Sequence, residues 1–288
     1  MSEPTAVPDH PSSMVVGLLD GRVRSGAEPL LRPDDAGAMR GEGVFETILV
    51  QGGQPRDLPE HLARLAKSAT MLDFQGPPDA DWLHGVHAVL GAFPGGDLVL
   101  RLVSTRGPAG APPTCYVTGT PVPDEVLRQR VQGVAVLLLD RGFAGSDAAA
   151  APWMLTSAKT LSYAVNMAAL RHARSMGADD VIFVGRDGAV MEAPTATVVV
   201  VRDRTLVTPP LDGILDGITV VRLIRAAQDA GWATAYERLT PDDLSAADGV
   251  FLVSSVRLVA PVTSIDEVPR PGAERAGELL DLLDAPPR

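Results

Sequence analysis

The stretch Ser157-Ala158-Lys159-Thr160-Leu161-Ser162-Tyr163 holds one of only two lysines in a chain of 288 residues. Of its 25 lysines and arginines, 23 are arginine, so this sequence takes arginine wherever it needs only positive charge. Lysine can do what arginine cannot: lose its proton near neutral pH when desolvated and attack a carbonyl carbon as a free amine. Mostly apolar segments flank Lys159, with Pro152-Trp153-Met154-Leu155 before it and Tyr163-Ala164-Val165 after it. A reactive amine and an ordinary half-buried lysine both fit that setting. The second lysine, Lys67 in Leu65-Ala66-Lys67-Ser68, falls on the polar side of an amphipathic pattern and reads as a solvated surface charge.

Around Lys159 the pattern alternates strands with helices. Upstream, the unbroken apolar run over 134–139 reads as a strand buried on both faces, and the alanine-rich stretch 141–151 as a flexible loop. Downstream, a helix is expected over 161–176, closed by Gly177. Strands at 181–184, 189–192 and 197–201 form a meander, and 206–208 adds a short strand. Helices follow over 219–230 and 240–247, the latter opened by Thr240-Pro241-Asp242-Asp243, with a hydroxyl cap, a proline in the first turn and a carboxylate three residues on. A late strand covers 251–254.

The N-terminal half is a compact α+β pattern. Strands at 14–19 and 43–50 end in the turn pairs Asp20-Gly21 and Gly52-Gly53. Leu58, Leu62, Leu65, Ala66, Ala69, Leu72 and Phe74 have helical spacing, a second helix covers 79–93, and strands follow at 98–104 and 114–120. The polar, proline-containing run 121–133 reads as a connection. The expected organisation is a loose tail at 1–12, an N-terminal α+β domain at 13–120, a linker at 121–133 and a C-terminal domain at 134–288.

Composition narrows the function classes. Hydrophobic residues are 45% and charged residues 21% of the chain, as in a soluble protein, and no apolar run approaches the ~20 residues that span a bilayer. The first residues lack a basic start and an apolar segment, so a cytoplasmic protein is expected. A net charge of -11 argues against a nucleic-acid partner. The single cysteine, Cys115, excludes an internal disulfide, and the five histidines show no metal-ligand spacing.

Three further features bear on the lysine. Gly213-Ile214-Leu215-Asp216-Gly217-Ile218-Thr219 runs from a glycine-bracketed turn into a helix, whose unpaired N–H groups suit a phosphate, with the Thr219 hydroxyl as a further donor. An ordinary loop with a threonine cap has the same sequence. Ser254-Ser255, at a strand end, could share the anion or form a plain turn. Glu192 closes an apolar strand beside Ala193-Pro194 and is either an exposed strand end or a buried carboxylate needing a partner. An amine, a phosphate cup and a carboxylate together are what pyridoxal 5'-phosphate requires: an imine to its aldehyde, an anchor, and a negative partner that keeps the pyridine nitrogen protonated.

The order Lys159, Glu192, Gly217-Ile218-Thr219, Ser254-Ser255 resembles the class IV aminotransferases, the fold type IV pyridoxal phosphate enzymes, which include branched-chain and D-amino-acid aminotransferases and aminodeoxychorismate lyases. The likeness runs from Gly41-Glu42-Gly43-Val44-Phe45-Glu46-Thr47 to Pro261-Val262. It implies an α/β (α+β) two-domain fold of the D-amino-acid aminotransferase type, with a small N-terminal α+β domain and a larger C-terminal domain built on a barrel-like sheet. It further implies that Lys159 forms the Schiff base and shuttles protons, that Glu192 pairs with the pyridine nitrogen, and that Arg64, in His61-Leu62-Ala63-Arg64-Leu65, grips the phosphate with Gly217, Ile218, Thr219, Ser254 and Ser255. From the residues alone Arg64 reads as a helix-surface charge. Tyr163 would approach the phenolic oxygen. Thr197-Val198-Val199 and Asp35-Ala36-Gly37 depart from the family pattern.

Lys159-Thr160-Leu161-Ser162-Tyr163 followed by Asn166 looks most like the lyase branch, in which aminodeoxychorismate gives 4-aminobenzoate and pyruvate. An amino-acid aminotransferase is the alternative. Arg101 and Arg106 are candidates for substrate carboxylates, and equally plausible as surface arginines on an alternating strand. The likeness also implies a homodimer with its cofactor in the cleft between the two domains, acting on a small amino- and carboxylate-bearing substrate.

Overall fold

The computed structural model describes residues 14–93 and 95–284 and divides them into two compact units. The first runs to Pro123 and includes Ala158–Ser162; the second is Asp124–Ser157 and the chain from Tyr163 onward. The tail expected at 1–12 lies outside the described residues.

The first unit contains β1 (Val15–Leu18), β2 (Val23–Ser25), α1 (Ala36–Arg40), β3 (Gly43–Gln51), β4 (Gln54–Pro55), α2 (Leu58–Met71), α3 (Asp79–Ala92), β5 (Leu98–Thr105) and β6 (Thr114–Pro121). Its six strands pair antiparallel in the order β2-β1-β6-β5-β3-β4. At the β3–β4 hairpin Gly52 and Gly53 have φ of +55° and +77°, a region that costs glycine nothing and any other residue strain. Strand alternation puts Val44, Glu46, Ile48 and Val50 of β3 beside Ser104, Leu102, Leu100 and Leu98 of β5 on one face, against which α2 lays Leu62, Leu65 and Ala69. Each fully buried leucine or isoleucine there contributes about 1.5–3 kcal/mol relative to exposure. α3 crosses β1 closely, because a Cβ at Gly17 would lie 2.4 Å from the Gly85 carbonyl oxygen. Asp35, fully buried, caps α1 at Gly37 N (2.8 Å) and accepts from the hydroxyls of Thr105 (2.9 Å) and Thr114 (2.7 Å).

The second unit contains α4 (Asp124–Gln132), β7 (Val134–Asp140), α5 (Gly145–Ala150), α6 (Ala164–Ser175), β8 (Asp180–Val184), β9 (Glu192–Ala193), β10 (Ala196–Arg202), β11 (Thr205–Thr208), α7 (Ile218–Asp229), β12 (Ala233–Tyr236), α8 (Pro241–Ala246), β13 (Gly249–Ser254), β14 (Leu258–Ile265), β15 (Val268–Pro269) and α9 (Ala276–Asp284). Its nine-stranded sheet follows β12-β11-β10-β13-β14-β7-β8, with β9 on β10 and β15 on β14. β10 is central and buried on both faces, as its β-branched run Thr-Val-Val-Val-Val requires. Val198, Val200, Val250, Leu252 and Val262 form one core with Leu239 and Leu244; Ala173, Val181, Phe183, Met191 and Ile214 form another.

The structure adds β2, α1, β4, β12, β14, β15 and α9, which no expected element covers, and departs from the sequence expectation elsewhere as well. Within 121–133, β6 continues to Pro121 and α4 follows; Pro123 precedes a first turn carrying Asp124 and Glu125, an arrangement as polar as a linker. The expected loop 141–151 contains α5, capped by the Ala144 N–H donating to Asp147 at 2.8 Å. The expected strand 189–192 shrinks to β9 plus a bridge from Val190 to Val184. α6 starts at Ala164, not near 161, because Ala158–Ser162 belong to the first unit, where Thr160 bridges to β3. Among the described residues, no helix is long and apolar enough to cross a membrane.

Candidate active site

In the first unit the segment around Lys159 lies along β3. Thr160 bridges to Val44; Phe45 N donates to Lys159 O at 3.0 Å and Leu161 N to Gly43 O at 2.8 Å. Gly43 allows this approach, since a Cβ there would stand 2.7 Å from the Leu161 side chain. Lys159 N donates to the hydroxyl of Ser68 on α2 at 3.1 Å. The Lys159 amine lies 4.6 Å from the centre of the Phe45 ring. The Arg101 guanidinium lies 4.5 Å from the same ring, because Phe45 pairs with Val103, two residues along β5 on one sheet face. Lys67, by contrast, is exposed.

Arg64 is not a surface charge. Its Nε and Nη2 hold the two oxygens of Glu46 at 2.7 Å each, and His61 Nδ1 stands 2.7 Å from Glu46 Oε2. Glu46 is fully buried. Burial alone would raise its carboxyl, but the hydrogen bonds from Arg64 and His61 outweigh that and hold it at about 2. His61, Arg64 and Ser68 are three and four residues apart, so one helix face carries all three. The roles of Glu46, His61 and Ser68 are not apparent from the local sequence pattern. The available signal was a glutamate at a core-facing strand position, which requires a cationic partner, followed by a histidine and an arginine one turn apart.

The two substrate-arginine candidates separate. Arg106 is tied to Glu42 (2.9 Å), to the carbonyls of Leu72 and Asp73, and lies 5.5 Å from the Phe74 ring, so it fastens the C-terminal end of α2. Arg101 has an exposed side chain on the sheet face that carries Lys159 and Phe45.

In the second unit Glu192, half-buried, accepts from Leu215 N at 3.1 Å. This fastens the Gly213–Thr219 turn to β9. Gly217 is the N-cap of α7 and no side chain caps the helix; a Cβ at Gly217 would lie 2.5 Å from the Thr197 hydroxyl, so only glycine fits. Thr197 pairs with Glu192 across β9 and β10, which places it between the carboxylate and the turn. Ile218 opens α7, and the Thr219 hydroxyl, buried, donates to Ser255 Oγ at 3.4 Å, joining residues 36 apart in sequence. Ser254 ends β13 beside it. The turn that follows is anchored by Arg257 on the fully buried Asp180 (2.7 Å) and by Arg130 on the Val256 carbonyl. Tyr163 is the N-cap residue of α6, and Asn166 Nδ2, one turn on, donates to Pro194 O at 2.7 Å, linking that helix to the chain after Glu192.

The second unit therefore brings together Glu192, Gly217, Ile218, Thr219, Ser254 and Ser255; the first ties the Lys159 backbone to Ser68, one turn along α2 from Arg64, and places the Lys159 amine and Arg101 at Phe45. The donor set fits pyridoxal phosphate: the uncapped start of a 12-residue helix with two hydroxyls suits a phosphate. A carboxylate fixed by a backbone amide suits a protonated ring nitrogen.

The profile of the amino-transferase class IV family matches residues 43–265. The chain is 42% identical, over 93% of its length and 98% of the relative's, to a bifunctional aminodeoxychorismate lyase / D-amino acid transaminase of Mycobacterium tuberculosis. It is similar to the structure of a hypothetical aminotransferase from M. tuberculosis in its PLP-bound form, with a TM-score of 0.91, 42% identity and coverage of 94% of this chain and 98% of that one. It is also similar to a fold IV-transaminase from Curtobacterium pusillum, with a TM-score of 0.87, 38% identity and coverage of 95% and 97%.

Proposed function

Because this chain belongs to the class IV aminotransferase family, we propose that it is a pyridoxal phosphate enzyme that converts 4-amino-4-deoxychorismate to 4-aminobenzoate and pyruvate, with amino transfer from D-amino acids as its second activity. The observation that carries both activities is the near full-length likeness to a relative whose name joins them. A cytoplasmic homodimer serving folate precursor synthesis is the setting this function implies. Trp153 and Val165, 77% and 64% exposed, offer apolar surface for a second copy.

When bound, the cofactor supplies an aldehyde that takes up the substrate's amine and a ring that draws electrons from the carbon beside it. Lys159 would hold the aldehyde carbon through Nζ until substrate displaces it. In the lyase reaction the freed Lys159 amine would take a proton from the substrate ring and deliver one to the departing three-carbon group, which would leave as pyruvate. In amino transfer the same amine would take and carry the proton that leaves the substrate's α-carbon. Glu192, oriented by Leu215 N, would hold the ring nitrogen's proton in place. Arg64, the amides of Ile218 and Thr219, and the hydroxyls of Thr219, Ser254 and Ser255 would hold the phosphate at the turn that Gly217 opens. Tyr163 is assigned to the phenolic oxygen and Arg101 to a substrate carboxylate.

Purified enzyme loaded with pyridoxal phosphate should release fluorescent 4-aminobenzoate from aminodeoxychorismate and, separately, form pyruvate from D-alanine and 2-oxoglutarate. Brisk pyruvate formation from D-alanine with no 4-aminobenzoate would sink the lyase assignment.

Arg101 and Arg106 should part company when replaced. Losing one charged hydrogen-bond partner costs on the order of 1.5–3 kcal/mol, so Arg101→Ala should raise KM roughly tenfold or more and leave kcat less affected. Arg106→Ala should instead lower the unfolding midpoint, with KM within about twofold of the parent. Steady-state kinetics and thermal unfolding on the two variants measure this; equal effects on KM would reject the assignment.

A further inference from the structure

A lysine that bonds a cofactor has a placement problem. Its side chain has four rotatable bonds, and each unfixed rotor dilutes the geometry in which the amine meets a carbonyl carbon. The position of its Cα then decides how much of that freedom is productive. In this protein the Lys159 peptide is fixed from two directions: its carbonyl accepts from Phe45 N of β3 at 3.0 Å, and its N–H is taken by Ser68 of α2 at 3.1 Å. Ser68 is only 1% exposed, and a hydroxyl that deeply buried needs a partner. Three residues back on the same helix face, Leu65 is core; four residues back, Arg64 is held by Glu46. One rigid element thus carries both the arginine assigned to the phosphate and the hydroxyl that fixes the lysine.

The geometry points to Ser68 as the positioning residue for the Lys159 amine: through one buried hydroxyl-to-amide hydrogen bond, α2 sets where Lys159 stands when Nζ bonds the cofactor's aldehyde carbon and the aldehyde oxygen leaves as water. This rests on the function proposed above, in which Lys159 is that amine. Ser68, 1% exposed, acts through the backbone of Lys159. Removing its hydroxyl should therefore slow capture of the aldehyde without loosening the grip on ring and phosphate.

Two measurements on the full-length, cofactor-free protein separate these effects. The first is affinity for pyridoxine 5'-phosphate, which keeps the ring and phosphate but has no aldehyde. The second is the rate at which pyridoxal 5'-phosphate becomes covalently bound, trapped with borohydride and located by peptide mass. Ser68→Ala should slow capture about tenfold, the effect of one lost hydrogen bond, with affinity for pyridoxine 5'-phosphate within about twofold of the parent. Ser68→Cys, which fills the same space with a weaker acceptor, should slow capture at least about threefold with the same unchanged affinity, and replaces the Ala variant if that cannot be purified folded. Capture at the parent rate in a folded variant would overturn the role of Ser68, and so would a parallel fall in capture and affinity, which marks a general loosening of the fold. Failure of the parent protein to label at Lys159 would overturn the underlying function instead, so the two failures are distinct.

Discussion

Lys159→Ala should lose at least about a thousandfold in turnover for both reactions, since a covalent anchor and a proton carrier disappear together. The variant should also show no borohydride-trapped cofactor at that peptide. It should fold normally. The bonds that dock this segment are made by the Lys159 N–H and carbonyl, which alanine keeps, and the side chain is only half-buried. Lys67→Ala is the matched control: that lysine is exposed, and its replacement should leave both turnover and trapping unchanged. With only two lysines in the chain, the pair of variants accounts for every side-chain amine. Turnover surviving in Lys159→Ala and lost in Lys67→Ala would reverse the assignment.

Glu46→Gln should produce the largest loss of stability. Glu46 is fully buried between Arg64 and His61, and removing its charge leaves a buried guanidinium without its counter-ion, which typically costs 3–5 kcal/mol. The pH dependence has a definite sign. The folded carboxyl titrates at about 2, below its ordinary 4.5, so the folded state favours the ionised form. Its contribution is complete above pH ~4.5, where the unfolded carboxyl is also ionised, and is lost as pH falls towards ~2. The shift corresponds to something on the order of 3 kcal/mol. Urea unfolding at pH 7, 4.5 and 3 should therefore show the parent protein losing stability between the last two values, and Glu46→Gln lacking most of that loss. An identical pH slope in both proteins would reject this account of the cluster. Arg64 orientation depends on the same carboxylate, so the variant should bind the phosphate of the cofactor more weakly as well.

Much of the fold is legible from local pattern. Gly52-Gly53 marks a hairpin because positive φ is local chemistry, and α2, α3 and α7 declare themselves through apolar residues three and four apart. The rarity of lysine singled out Lys159, and the glycine-bracketed approach to Thr219 singled out α7. What stayed hidden depends on partners remote in sequence. Arg64 looks like a solvated charge until the register of β3 places Glu46 on the helix-facing side. Arg101 lies on β5 and Arg106, five residues on, just past its end; only the position of Phe45 beside one and of Glu42, Leu72 and Asp73 beside the other tells them apart. α4 was hidden for a different reason: a solvent-facing helix led by proline has the composition of a linker.

The five residues Ala158–Ser162 complete the first unit from a point 35 residues beyond its main boundary at Pro123. On the ribosome, β3 is made long before the segment that covers this part of its edge. At roughly 5–20 residues per second, its bare N–H and C=O groups near Val44 wait on the order of ten seconds for Thr160 to emerge. An open strand edge is a template for pairing with other chains, so this interval is when a nascent chain is most prone to aggregate. It also means that the first unit cannot be excised by cutting at Pro123: a fragment ending there would keep all six strands but leave the β3 edge bare and carry no Lys159.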